Sequence, residues 1–188
     1  MRFKSPLPFV IATILFFLRG TPGAAEDWGV YRIVSASASE FVLEAVGGAK
    51  EGTVVSIQKP NAAANQKWVV LPGDVAKDDG SVKIAAAQDQ SLVLTVEKGS
   101  KNNGSLIVLE KDRGEAFQRW VLKKTESGAY SLIAKHAPEQ GLDHFGGVRE
   151  AGTRIDLWTY SANDAHLQWF IRPMADRKST RLNSSHRT

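Results

Sequence analysis

The stretch "FQRWVL", residues 117–122, has near copies in "NQKWVV", residues 65–70, and "HLQWFI", residues 166–171. Their tryptophans, Trp68, Trp120 and Trp169, stand 52 and 49 residues apart. A second feature keeps the same beat: Gly52-Thr53, Gly104-Ser105 and Gly152-Thr153 lie 16, 16 and 17 residues ahead of those tryptophans. Self-similarity at a fixed period marks a repeat architecture, and three copies, about 28–72, 80–124 and 128–173, fill the middle of the chain.

Within each copy, short alternating apolar runs are separated by turn signals, with no helical stretch of convincing length. The first gives "VYRIV", "EFVLEAV", "GTVVSIQ" and "QKWVVL"; the second "SVKIAAA", "SLVLTV", "GSLIVLE" and "QRWVLK"; the third "AYSLIAK", "QGLDHF", "TRIDLWTY" and "LQWFIR". Four strands cannot bury their own apolar face, so the three units must share one core. Twelve strands in three equivalent units predict an all-β chain with the β-trefoil architecture. A propeller is the structural alternative, but three blades are fewer than propellers usually close with.

The Gln-x-Trp elements, Gln66-Lys67-Trp68 and Gln118-Arg119-Trp120, each preceded by a leucine-centred strand and a Gly-Thr-type turn, resemble the ricin B-type lectin domain over residues 28–173. The third unit departs from the pattern: Leu167 takes the glutamine position and His166 stands where asparagine is usual. The resemblance implies a β-trefoil that binds carbohydrate. It also implies an aspartate accepting hydrogen bonds from sugar hydroxyls, with an aromatic platform fifteen residues later.

Strand parity sorts the aromatics independently of any family, because successive side chains point to opposite faces. Trp68, Trp120 and Trp169 each open an apolar alternation continued by Val70, Leu122 and Ile171, which assigns them to the core. Gln66 and Gln118 are expected to satisfy backbone groups in the adjoining turns. Along the third strand of each unit, Val55 and Ile57, Ile107 and Leu109, and Ile155 and Leu157 point inward. Arg154, Asp156 and Trp158 then share an outer face, and Trp158 stands where the other units carry Gln58 and Glu110. One strand earlier, Leu43, Leu94 and Leu142 point inward, leaving Glu44, Thr95 and Asp143 outward.

Asp143 and Trp158 are fifteen residues apart, which matches the spacing implied by the resemblance. A sugar offers an apolar face of C–H groups to an indole and a rim of hydroxyls to fixed donors and acceptors. An ionised carboxylate is the stronger kind of acceptor. Asp156, Tyr160, Asn163 and His166 are the candidates for the rest of the rim. The first two units lack an aromatic at the platform position, so one sugar site is expected, in the third. The partner class is a glycan or polysaccharide of galactose or glucose type.

Enzyme motifs are missing: there is no G-x-S-x-G, no H-E-x-x-H and no phosphate-cradling glycine loop. Cysteine is absent, which excludes a thiolate nucleophile and a lipid-anchored cysteine. His136, His144 and His166 match no tight metal-ligand spacing. No catalytic residue, metal or cofactor is therefore expected. Two rival readings remain: a trefoil that serves as a protein-interaction or inhibitor module without sugar binding, and an accessory domain of a larger exported enzyme, whose catalytic domain would be attached.

The ends set the compartment and the charge. Arg2 and Lys4 followed by the apolar run Leu7–Leu18 and by "TPGAAED" read as a secretory signal cleaved near Ala25, so a secreted or periplasmic protein is expected, without stable membrane insertion. The polar stretch "DRKSTRLNSSH", residues 176–186, resembles the translation of a sequencing-library adapter, which would make residues 176–188 a non-native tail. The whole chain carries a formal charge of +4. Without the leader's three basic residues and the tail's four basic and one acidic, 17 Lys plus Arg face 19 Asp plus Glu, so the net charge is −2. The basic balance of the whole chain therefore cannot serve as a nucleic-acid footprint, and no nucleic-acid partner is expected.

Overall fold

The structure, a computed structural model, describes residues 29–74 and 79–174. The expected signal segment and the tail from residue 176 lie outside the described residues. Twelve strands appear in chain order: β1 (Val30–Ser35), β2 (Val42–Ala45), β3 (Val55–Gln58), β4 (Trp68–Pro72), β5 (Val82–Ala86), β6 (Asp89–Val96), β7 (Ser105–Lys111), β8 (Trp120–Lys124), β9 (Tyr130–Ala134), β10 (Gln140–His144), β11 (Ile155–Thr159) and β12 (Trp169–Pro173). All pairings between them are antiparallel.

Six strands close a barrel. Round the ring, β1 pairs β4, β4 pairs β5, β5 pairs β8, β8 pairs β9, β9 pairs β12, and β12 returns to β1. Closure leaves this ring without a free edge. The other six form three hairpins, β2–β3, β6–β7 and β10–β11. Their second strands meet in a triangle: Val54 bridges Val108, Leu106 pairs Asp156, and Arg154 bridges Ser56. The molecule is the β-trefoil that the repeat predicts.

The Gly-Thr beat explains how the units are clasped. Gly52, Gly104 and Gly152 have φ of 82°, 82° and 91°, a left-handed conformation that glycine adopts without strain. Each donates its N–H to a carbonyl of the following unit in cyclic order: Gly52 to Leu109 at 2.7 Å, Gly104 to Leu157 at 2.8 Å and Gly152 to Ile57 at 2.8 Å. Turn chemistry and assembly of the three units thus fall on the same residues.

Leu43, Leu94 and Leu142, Ile57, Leu109 and Leu157, and the three tryptophans are all fully buried in one cluster. Each indole is also anchored. Trp68, Trp120 and Trp169 donate Nε1–H to the carbonyls of Leu43, Leu94 and Leu142 at 3.1, 3.1 and 3.0 Å, tying barrel strand to hairpin within each unit. Buried indoles need such a partner for the N–H.

Parity assigned the hairpins' other face to water, and there the structure differs. Ser56, Thr95, Val108, Asp143 and Asp156 are all at most 5% exposed. Two things cover them: the triangle of second strands, and the short 3₁₀ turn before each core tryptophan (Ala64–Gln66, Ala116–Gln118 and Ala165–Leu167), which lies across the hairpin. Parity tells which face a side chain takes, but not what packs on that face.

Candidate functional site

The 3₁₀ turns differ chemically between the units, and the difference creates the site. In the first unit Gln66 accepts from the Asn61 amide at 2.8 Å, donates to the Lys59 carbonyl at 2.9 Å and donates to Glu44 Oε2 at 2.7 Å. Gln118 repeats this with the Arg113 amide at 2.8 Å, the Lys111 carbonyl at 2.8 Å and Thr95 Oγ1 at 3.2 Å. The glutamine therefore both ties the turn and serves the side chain at the outward hairpin position. Leu167 occupies this place in the third unit, fully buried and with no donor to offer. Its turn is held instead by Asp164, whose carboxylate accepts from the His166 amide at 2.9 Å, and by Gln168, which donates to the Ala162 carbonyl at 3.0 Å.

Asp143 is therefore left without the donor that its counterparts have, and it has a second acid beside it. Asp143 and Asp156 are direct cross-strand partners between β10 and β11, where the other units pair Glu44 with Ser56 and Thr95 with Val108. Directly opposite residues have Cβ atoms roughly 4.5 to 5.5 Å apart. Oδ1 of Asp143 and both carboxyl oxygens of Asp156 are buried without a hydrogen-bond partner. Burial pushes the Asp143 carboxyl up to about 7, with the Asp156 and Asp164 charges adding to the effect. Burial likewise raises Asp156 to about 6, while the Arg154 guanidinium pulls the other way.

Trp158 flanks this pair. It lies opposite Gly141, two residues along the hairpin from the Asp143–Asp156 pair and so on the same face, where diagonal neighbours sit roughly 7 to 8 Å apart. The indole is 43% exposed. It faces an exchange of bulk that sequence reasoning missed: the other units place Val42 opposite Gln58 and Val93 opposite Glu110, whereas here glycine faces tryptophan. A Cβ on Gly141 would lie 3.4 Å from Leu167 and Ile133, in van der Waals contact with both. The signal was present in the repeat alignment as Gly141 against Val42 and Val93.

The remaining candidates scatter. Asp156 has no exposed surface, so it cannot form part of a rim contacting sugar; it stands behind Asp143 because the triangle of second strands closes over it. Tyr160 is half-buried, with Lys123 Nζ 4.7 Å from its ring centroid. Asn163 is exposed on the turn. His166 is half-buried on the Gly146–Gly147 backbone, where a Cβ on Gly147 would sit 3.1 Å from its ring. It meets His144 edge to face at 5.5 Å.

His144 belongs to the core. It is fully buried, 5.1 Å from the Trp169 ring, with Nε2 2.9 Å from Ser35 Oγ. Burial and the neighbouring His166 lower it to about 4, so it is neutral at physiological pH. Among the described residues no cluster of three acidic, histidine or cysteine side chains could hold a metal ion. What the arrangement offers a ligand is an exposed indole beside hydrogen-bond acceptors that have no donors.

Comparison with known proteins agrees with the architecture. The family model described as the ricin-type beta-trefoil lectin domain-like family matches residues 16–110. A designed threefold-symmetric protein, ThreeFoil, superposes with a TM-score of 0.71 at 24% identity, covering 78% of this chain and 99% of that one. The C-terminal half of an earthworm R-type lectin, solved in complex with GalNAc, gives 0.58 at 14%, covering 78% and 99%. An exo-beta-1,3-galactanase from Clostridium thermocellum gives 0.69 at 21%; there this chain covers 30% of the enzyme, and 78% of this chain is matched. A search of the curated proteins found no match. With its twelve-stranded trefoil and a family match over half its length, the chain belongs to the ricin-type β-trefoil lectin domain-like family.

Proposed function

We propose that this chain is a secreted, non-catalytic carbohydrate-binding module whose single sugar site lies on the β10–β11 hairpin, with Trp158 as stacking platform and Asp143 as principal acceptor. The observation that carries the reading is the exposed Trp158 set diagonally to Asp143 across from Gly141, an arrangement that neither other unit repeats. Asn163, Tyr160 and His166 are the side chains we assign to the rest of the rim. Galactose- and glucose-type sugars present the C–H face and hydroxyl rim that such a platform uses. One stacking contact and a few hydrogen bonds give a Kd on the order of 0.1 to 1 mM. Useful avidity would come from several copies or from an attached catalytic domain.

The test is a titration of galactose and glucose, followed by tryptophan fluorescence, against the parent chain, Trp158→Ala and Asp143→Asn. Saturable binding should be lost in the first variant and weakened at least tenfold in the second. Binding that survives both would remove the site assignment.

A second reading, a protein-interaction module, is favoured by Phe145, Val148 and Trp158, which are each more than 40% exposed and belong to one unit. A blank glycan array together with a protein captured through a Trp158-dependent contact would select it.

A further inference from the structure

We propose that the third-unit site is built for a cationic amino sugar, a hexosamine carrying a free protonated amine, in preference to its neutral or N-acetylated counterparts. This rests on the reading that the third unit holds sugar, and it narrows the class of sugar held.

Three observations converge on a missing cation. First, the site alone pairs two acids across the hairpin, where the other units place serine or valine opposite a single polar side chain. Second, the amide that donates to the outward position in those units is replaced by Leu167, so three of the four carboxyl oxygens are buried without a partner. Third, the protein's own charges compensate the pair only in part, through the field of Arg154 on Asp156. The Arg154 guanidinium rests 3.6 Å from the Phe145 ring centroid, and it reaches neither carboxyl as a hydrogen-bond donor. Asp164 adds a further negative charge from the turn, and His144 is neutral.

Buried acids without donors are costly unless something supplies charge as well as hydrogen bonds. A neutral sugar supplies hydroxyl donors but leaves the charge uncompensated. A ring ammonium brings three N–H donors and a positive charge together, and charge-assisted bonds of this kind are the stronger ones. Asp143, 5% exposed against none for Asp156, is the carboxyl nearer the surface and the one assigned to the ammonium, while Asp156 behind adds its field without needing contact. The same ammonium on a ring lying over Trp158 gains the attraction of a cation for an indole face. N-acetylation would remove the charge and put a methyl group against the carboxyls. Because both carboxyls are held partly protonated near neutral pH by burial, binding the amine should also expel a proton from the pair.

The experiment is calorimetric titration of the full chain at pH 7 and fixed ionic strength with glucosamine, galactosamine, their N-acetyl forms, and glucose and galactose, in two buffers of different ionisation enthalpy. The free-amine sugars should bind at least tenfold more tightly than the N-acetyl forms, with proton release seen only for the amines. Asp156→Asn, which removes charge without touching the ligand, and Leu167→Gln, which gives Asp143 the donor found in the other units, should each bring the ratio to within about twofold. Neutral sugars that bind as well as the amines would overturn the proposal and leave the sugar site standing. If no sugar of either kind binds, the sugar site and the proposal fall together. Methylamine serves as the control for a simple ion effect; if it binds as tightly as the amino sugars, the preference is electrostatic only and the proposal fails.

Discussion

Replacing Asp156 by asparagine should stabilise the fold at high pH and do almost nothing at low pH. The carboxyl is fully buried, its two oxygens have no partner, and the fold moves it from the usual 3.8 to about 6. A raised carboxyl pKa means that the folded chain holds a proton which the unfolded chain has released, so stability falls as pH rises from 3.8 through 6 and stays low above. Fully expressed, such a shift amounts to about 3 kcal/mol; residual hydration and relaxation bring the expected gain for Asp156→Asn to about 1 to 3 kcal/mol at pH 8. Relief of Asp143, which feels the Asp156 charge, works in the same direction. At pH 4 the parent carboxyl is already neutral in the fold, and the two proteins should agree within about 0.5 kcal/mol. The assay is urea denaturation of both proteins at the two pH values. Taking the variant-minus-parent difference cancels the titration of groups that do not feel Asp156, including His144. A variant less stable than the parent at pH 8, or a gain of the same size at both pH values, would refute the idea that an unpaired buried charge is the cause.

Other outcomes follow from the same structure. Trp120→Ala should cost about 3 to 5 kcal/mol, since it empties a fully buried indole site and strands the Leu94 carbonyl; thermal or urea unfolding measures this. Gln118→Leu, which imitates Leu167, should cost about 1 to 3 kcal/mol by leaving the Arg113 amide and Lys111 carbonyl unpaired, because the second unit has no Asp164 to hold its turn. His144→Val, borrowing Val96 from the equivalent position, should flatten the stability profile in acid. The lowered histidine makes the parent lose stability as pH falls from 6.5 towards 4, and the valine variant should lack that loss in a pH series of melts.

How much of this was legible in the chain depends on which residues one asks about. The repeat of Trp68, Trp120 and Trp169 gave the strand count, the shared core and the architecture, because a strict period in apolar and turn residues leaves few ways to bury the apolar side. The three turn glycines could be placed by their spacing, but their bonds across units depend on which strands meet. Asp143 and Trp158 could be paired by spacing alone. The burial of Asp156 and Thr95 could not be, because the triangle that covers them is made by strands some fifty residues apart in sequence. The exchange of glutamine for Leu167 was visible as a departure, but its consequence for Asp143 was not. Only the bonds from Gln66 to Glu44 and from Gln118 to Thr95 reveal what the leucine withholds. His144, which the spacing argument considered only as a metal ligand, is packed on Trp169.

The measurement closest to the central claim is a nitrogen–proton NMR titration of the parent chain with the sugars named above. Binding in the third unit predicts saturable shifts concentrated at Gln140–His144, Ile155–Thr159 and the Trp158 indole N–H, with the equivalent strands Val42–Ala45 and Asp89–Val96 unmoved. Shifts of equal size in all three units, or saturable shifts that avoid Trp158, would contradict it.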